Sequence, residues 1–143
     1  MPKSNATRND YIKFVALGTA MPSYGATWYV HLHTADPGLT GTSATSEAAY
    51  TSYARVAVSR DVSGWTVCDP DGTPNASGTA FKNAAEITFP ECTGVSDDEV
   101  ITHLSICDNS GQIQYSTALG ASIRVNNLDT PRVPAGAAIF KEG

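Results

Sequence analysis

Short stretches of alternating apolar and polar residues, broken about every ten residues by clusters of glycine, proline, asparagine and aspartate, are what most limits the fold of this chain. Alternation at a period of two places one set of side chains on a buried sheet face and the other set outside. No strand–helix repeat accompanies it, so parallel α/β architectures are excluded and an antiparallel sandwich or barrel is expected. The form expected is an all-β, jelly-roll-like antiparallel sandwich of about eight or nine short strands with a short N-terminal helix. At 143 residues the chain is long enough to bury one core, and it divides into a polar N-terminal arm over 1–9 and a single β-sandwich domain over 10–143.

The helix is expected from Asp10, which can cap it, with Tyr11, Phe14, Val15 and Leu17 at helical spacing and Gly18 as the stop. The clearest strand is Thr27 to Thr34, where Trp28, Val30 and Leu32 face the core and Tyr29, His31 and His33 face solvent. Asp36-Pro37-Gly38 turns the chain, and Leu39 to Ser52 reads as an exposed loop with one helical turn at Ser46 to Tyr50. Further strands are expected at Tyr53 to Arg60, Glu86 to Phe89, Val100 to Cys107, Gln112 to Leu119, Ser122 to Val125 and Ala137 to Lys141. Trp65 to Val67 and Thr79 to Lys82 form a hairpin whose tip, Asp69 to Asn75, is dense in turn formers. The expected core is Trp28, Val30, Leu32, Val56, Val58, Leu104, Ile106 and Ile139.

Charge and motif content narrow the function classes. Nine scattered basic residues and a net charge of −5 argue against nucleic acid as a partner, because phosphate contacts need clustered Lys and Arg. No stretch approaches the length of a membrane span, and the polar start does not resemble a secretion signal, so the sequons at Asn5 and Asn75 carry little meaning. Charged residues make up only 16% of the chain, which leaves a neutral surface suited to packing against neighbours. Cys68, Cys92 and Cys107 lack paired spacing and read as separate small hydrophobes, with no disulfide expected.

Three constellations were weighed for chemistry. His31 and His33 share a strand face that His103 could join, but with no fixed carboxylate or cysteine beside them a polar strand face is the stronger reading and no metal is expected. Asp69, Asp71 and Asn75 lack the glycine and terminal glutamate of a calcium loop. Asp97, Asp98 and Glu99 are adjacent, so they alternate in direction and do not separate into an acid and a nucleophile. No catalytic residue and no cofactor are expected. The candidate interface residues are Tyr50 and Tyr53, which flank the long loop, Trp65, and Asp71 and Asn75 at the hairpin tip.

Trp28-Tyr29-Val30-His31-Leu32-His33-Thr34-Ala35-Asp36-Pro37-Gly38 is followed by Tyr53-Ala54-Arg55-Val56-Ala57-Val58 and Ile87-Thr88-Phe89-Pro90. Then come Ile101 to Asp108, Tyr115 to Leu119, Val125 to Arg132 and Ala135-Gly136-Ala137. In that order these strings resemble a family of tailed-phage structural proteins over most of residues 11 to 140. The chain departs from that family at Leu128, where glycine is common, and in the extended loop from Asp69 to Gly78. Members are labelled tail fibre proteins, and similar small β-proteins serve as capsid cement or decoration proteins. The resemblance implies a virion protein, assembled in the host cytoplasm, that cements the outer capsid. Its implied partners are the major capsid protein and further copies of itself as a dimer or trimer. The alternative is a short tail fibre or baseplate adhesin that touches the host surface, and an enzyme acting on host glycan ranks last.

Overall fold

A computed structural model of the chain describes residues 3–142. Among these it has one helix, α1 (Asn5–Leu17), and nine strands: β1 (Thr27–His33), β2 (Val56–Ser59), β3 (Trp65–Cys68), β4 (Ala80–Asn83), β5 (Ile87–Thr88), β6 (Asp98–Cys107), β7 (Ile113–Asn126), β8 (Arg132–Val133) and β9 (Ile139–Lys141). Every pairing between strands is antiparallel. A four-stranded sheet, β2-β1-β6-β7, forms one layer of the sandwich, and the three-stranded β3-β4-β9 and the pair β5-β8 form the other.

The helix starts five residues before the expected Asp10. Ser4 is its cap: the side chain accepts the Thr7 N–H at 3.2 Å, which satisfies one of the donors that a helix start leaves open. Distant chain holds this start in place. The Ser4 N–H donates to the Gln114 carbonyl at 2.9 Å, the Asn5 N–H to the Leu39 carbonyl at 3.0 Å, and Thr7 Oγ1 to Gln114 Oε1 at 2.6 Å. The expected arm over residues 1–9 is thus a built part of the fold from Lys3 onward, while Met1 and Pro2 fall outside the described residues. Gly18 ends the helix as expected, in the left-handed conformation at φ 66°.

β1 runs where alternation placed it, with Val30 and Leu32 fully buried. The expected hairpin of β3 and β4 is present, with Trp65 opposite Asn83 and Cys68 opposite Ala80. Alternation fails in β6. Ile101 faces Ile123, yet His103 faces Ala118, so the ladder slips between them and β7 carries the extra residues Leu119 to Ser122. The slip returns Ile101, Leu104 and Ile106 to one inner face and leaves Val100, expected inside with Leu104, exposed. The two strands expected over Gln112–Leu119 and Ser122–Val125 are for the same reason one continuous strand with an irregularity at its middle.

The core joins Val30, Leu32, Ile101, Leu104, Ile106 and Val125 of the large sheet to Ile87, Phe89, Val133 and Phe140 of the facing layer. Trp28, Val56 and Val58 pack on it while partly exposed. Ile139 does not belong to it: Phe140, the next residue, takes the inward position and stacks on Phe81 at 5.2 Å, while the Ile139 side chain reaches toward Gly72. Residues 39–52 form the expected loop, largely exposed, but without the helical turn expected at 46–50 and with two residues turned inward. They run beside the C-terminal end of β1, which the short β2 leaves unpaired, with the Thr34 N–H donating to the Ser46 carbonyl and the Ala48 N–H to the Leu32 carbonyl, both at 2.8 Å, and with Ala48 and Tyr50 buried. Leu128 holds φ 70°, the left-handed region that favours glycine.

Two outcomes are expected in urea unfolding. Leu104→Ala and Phe140→Ala lower stability by about 2–5 kcal/mol, the range for emptying a packed core site, whereas Ile139→Ala costs less than either. Leu128→Gly raises stability by about 0.5–1 kcal/mol by relieving the left-handed backbone; a loss on that substitution contradicts the strain.

Candidate interaction surface

The outer face of the large sheet carries His31, His33, Ser105, Cys107, Gln114 and Ser116, and all six are buried. The expected solvated face is therefore corrected, because residues 39–47 and the start of α1 lie over it. Neutral His33 sits in a directed chain of hydrogen bonds: Nδ1–H donates to the Thr45 carbonyl at 2.7 Å, and Ser105 Oγ–H donates to Nε2 at 2.7 Å. Burial is the main cause that pushes the His33 pKa below its ordinary 6.5. His31 Nδ1 bonds Glu47 Oε1 at 2.6 Å, and that oxygen also accepts the Tyr53 hydroxyl at 3.0 Å. His103 turns to Thr102 Oγ1 at 2.8 Å. His31 and His33 are thus engaged singly in fastening the covering segment, and among the described residues no group of three or more His, Cys, Asp or Glu side chains is placed to hold a metal ion.

The adjacent carboxylates do similar work. Asp97 accepts the Thr51 N–H at 2.6 Å, Glu99 accepts the N–H groups of Ala49 and Tyr50, and Asp98 forms a two-point pair with Arg124 at 2.8 and 2.6 Å. Three successive acids tie the 49–51 segment and β7 to the start of β6, which explains their density better than a solvated turn does. The three cysteines are buried, unpaired and apart, and burial pushes each thiol up, that of Cys107 to about 12.

The five residues singled out as an interface separate into three settings. Tyr50 is buried, its hydroxyl donating to the Pro90 carbonyl at 2.8 Å, and burial lifts its pKa to about 12. Tyr53 is half-buried, with its oxygen accepting the Leu32 N–H at 3.0 Å; both tyrosines face inward because the loop they flank closes the β1 edge. Asp71 and Asn75 are exposed at the hairpin tip, where they cap local turns at Thr73 and Ser77. Trp65 alone combines partial burial with an open apolar setting.

That setting is a groove of about 400 Å³ at one end of the sandwich, lined by Trp28, Val62, Trp65, Val67, Phe81 and Tyr115 with Arg60 and Asp61 at its rim. Val62 is 92% exposed, and the Trp65 indole N–H is buried with no hydrogen-bond partner. The Arg60 guanidinium lies over Trp28 at 5.6 Å. α1 stands at the same end. The Lys3 ammonium lies 4.8 Å from the centre of the Tyr11 ring and pairs with Glu142, which also accepts the hydroxyl of groove residue Tyr115 at 2.8 Å. Tyr11, Phe14, Val15 and Leu17, the residues at helical spacing, and Ile12 beside them are each between half and three-quarters exposed. At 100° per residue they cover about 220° of the helix circumference. Exposed apolar area of this extent makes this end the candidate interaction surface. Sequence reasoning found Trp65 and the helical spacing, but missed Val67 and Phe81, which face each other across the β3–β4 hairpin, and Val62 in the connection that leads into it.

The family model described as podophage GP4 fiber I protein gp80 matches residues 2–141. The chain belongs to that family. It is a phage structural protein, as the resemblance implied. No curated protein matches the chain. Among the described residues no helix is long and apolar enough to cross a membrane.

The buried His33 gives a prediction in pH. Its folded pKa lies below that of the unfolded chain, so its contribution to stability is complete above pH 6.5 and declines as pH falls below that value, where the unfolded chain takes up the proton first. Urea midpoints measured between about pH 5 and 7 fall on the acid side in the native protein, and His33→Gln flattens that slope while lowering stability throughout. An unchanged slope in the variant assigns the titration to another group.

Proposed function

We propose that this chain is a binding subunit of a virion fibre, holding other virion proteins together through its apolar end and carrying out no catalysis. The single observation that carries this reading is the match to the fibre protein family over residues 2–141. The site geometry agrees with it. His31, His33, Asp97 and Glu99 are engaged in fastening loops to the sheet, while the apolar groove and helix face outward. Catalysis needs a titratable or nucleophilic group that a substrate can reach; here Ser105 and Cys107 are fully buried.

Capsid cement is the second reading, with the major capsid protein as partner. It is favoured by the form of the chain: one sandwich whose described helix has 13 residues, with low charge overall and no heptad-bearing shaft. A small unit of this kind can bridge neighbouring subunits on a shell, where several weak contacts add through effective concentration.

Electron microscopy of virions with the gene for this chain deleted tests the two together. The fibre reading expects loss of density at the tail, reduced adsorption to host cells and unchanged retention of DNA on heating. Loss of density on the head with DNA released at lower temperature replaces it with the cement reading. Virions unchanged in both respects overturn both.

A further inference from the structure

Resting on the reading of this chain as an assembly subunit, we infer that the C-terminal half of α1 docks in the Trp28–Trp65 groove of a second copy of the same chain. The two surfaces are complementary in shape and chemistry. One is a projecting helix with an apolar arc of about 220°, too wide to be served by one neighbouring face, which is the pattern of a helix enclosed on several sides. The other is an open apolar groove. Each chain carries one of each, so copies can satisfy one another in a closed oligomer, the simplest being a two-fold pair with each helix in the other's groove.

Polar groups point the same way. The last carbonyls of a helix have no intrahelical donor and carry partial negative charge. α1 has no basic residue in its last turn to offset that. The groove offers an offset at its rim, where the Arg60 guanidinium lies over the Trp28 ring. Lys13, on the polar side of the helix, finds an opposite charge in Asp61 at the same rim.

The area suffices. Five side chains of this size, each half or more exposed, present on the order of 500 Å². Two reciprocal helix-in-groove contacts, counted on both partners, then remove about 1,200 Å² from water, at the low end of the range of specific protein interfaces. Neither the hairpin tip at Asp71 and Asn75 nor the exposed Val95 offers a matching surface on the chain.

Sedimentation of the full chain between about 1 and 100 µM, beside Leu17→Glu and Val62→Glu, tests the inference. Both positions are largely exposed, so circular dichroism should match the native chain. The native protein is expected to sediment as an oligomer, and each variant to weaken association by about 100-fold or more. A second measurement fixes the geometry: Leu17→Cys and Val62→Cys chains, mixed and oxidised, should form a disulfide joining one chain of each kind, the native cysteines being buried. A native chain that stays monomeric, an oligomer indifferent to both variants, or a Leu17→Cys/Val62→Cys double variant that closes only within one chain overturns it. A monomer that is still built into virions removes this inference and leaves the functional reading standing; an oligomer absent from virions does the reverse.

Discussion

His33 is fully buried on the outer face of the central strand, and both of its ring nitrogens have partners 2.7 Å away. A polar group in that position costs several kcal/mol if left unpaired, so segments must come across the sheet to meet it and its neighbours. Residues 39–47 do so at Thr45 and Glu47, and the start of α1 does so at Ser4 and Thr7 through Gln114. The large sheet is consequently covered on both faces, by apolar packing on one and by a hydrogen-bonded layer on the other. With its start fixed to β7 in this way, α1 has its remaining turns directed away from the sandwich, and that is what leaves its apolar arc in solvent.

Function follows from the division of labour between these two halves of the surface chemistry. Groups with chemical potential, the histidines, the acids at 97–99 and the thiols, are engaged internally or buried, which stiffens the body and leaves little for a substrate to reach. The groups left outward at one end are aromatic and aliphatic. A rigid body with one apolar end is what a protein needs if it is to hold a fixed place in a larger assembly, and membership of a phage fibre protein family is in keeping with that.

The features legible in the sequence were those set by local rules. β1 alternates cleanly, the β3–β4 hairpin has turn formers at its tip, and Gly18 stops the helix. Three features were not legible, each for a physical reason. The slip between Ile101 and His103 depends on residues Leu119 to Ser122 across the ladder, so no reading of β6 alone could show that Val100 turns outward. The burial of His31 and His33 comes from chain more than ten residues away and from the N-terminus, whereas alternation speaks only of which face a side chain is on. The spacing of Tyr11, Phe14 and Val15 marks one side of a helix, yet that side is half or more exposed, because spacing carries no information on whether the same chain supplies a surface to cover it. Of the five candidate interface residues, Trp65 lies in the groove because β3 and β4 carry it there, while Tyr50 and Tyr53 face inward beneath the loop they flank.

The central claim is that the end bearing α1 and the Trp28–Trp65 groove is the part of this protein that meets other virion subunits. Amide hydrogen exchange, compared between the isolated protein at nanomolar concentration and the same protein within intact virions, measures this most directly. Protection gained on assembly should be concentrated in residues 11–18 and 60–67, with the hairpin tip at 69–78 and the segment around Val95 exchanging as before. Protection gained at the hairpin tip with residues 11–18 unchanged would contradict it.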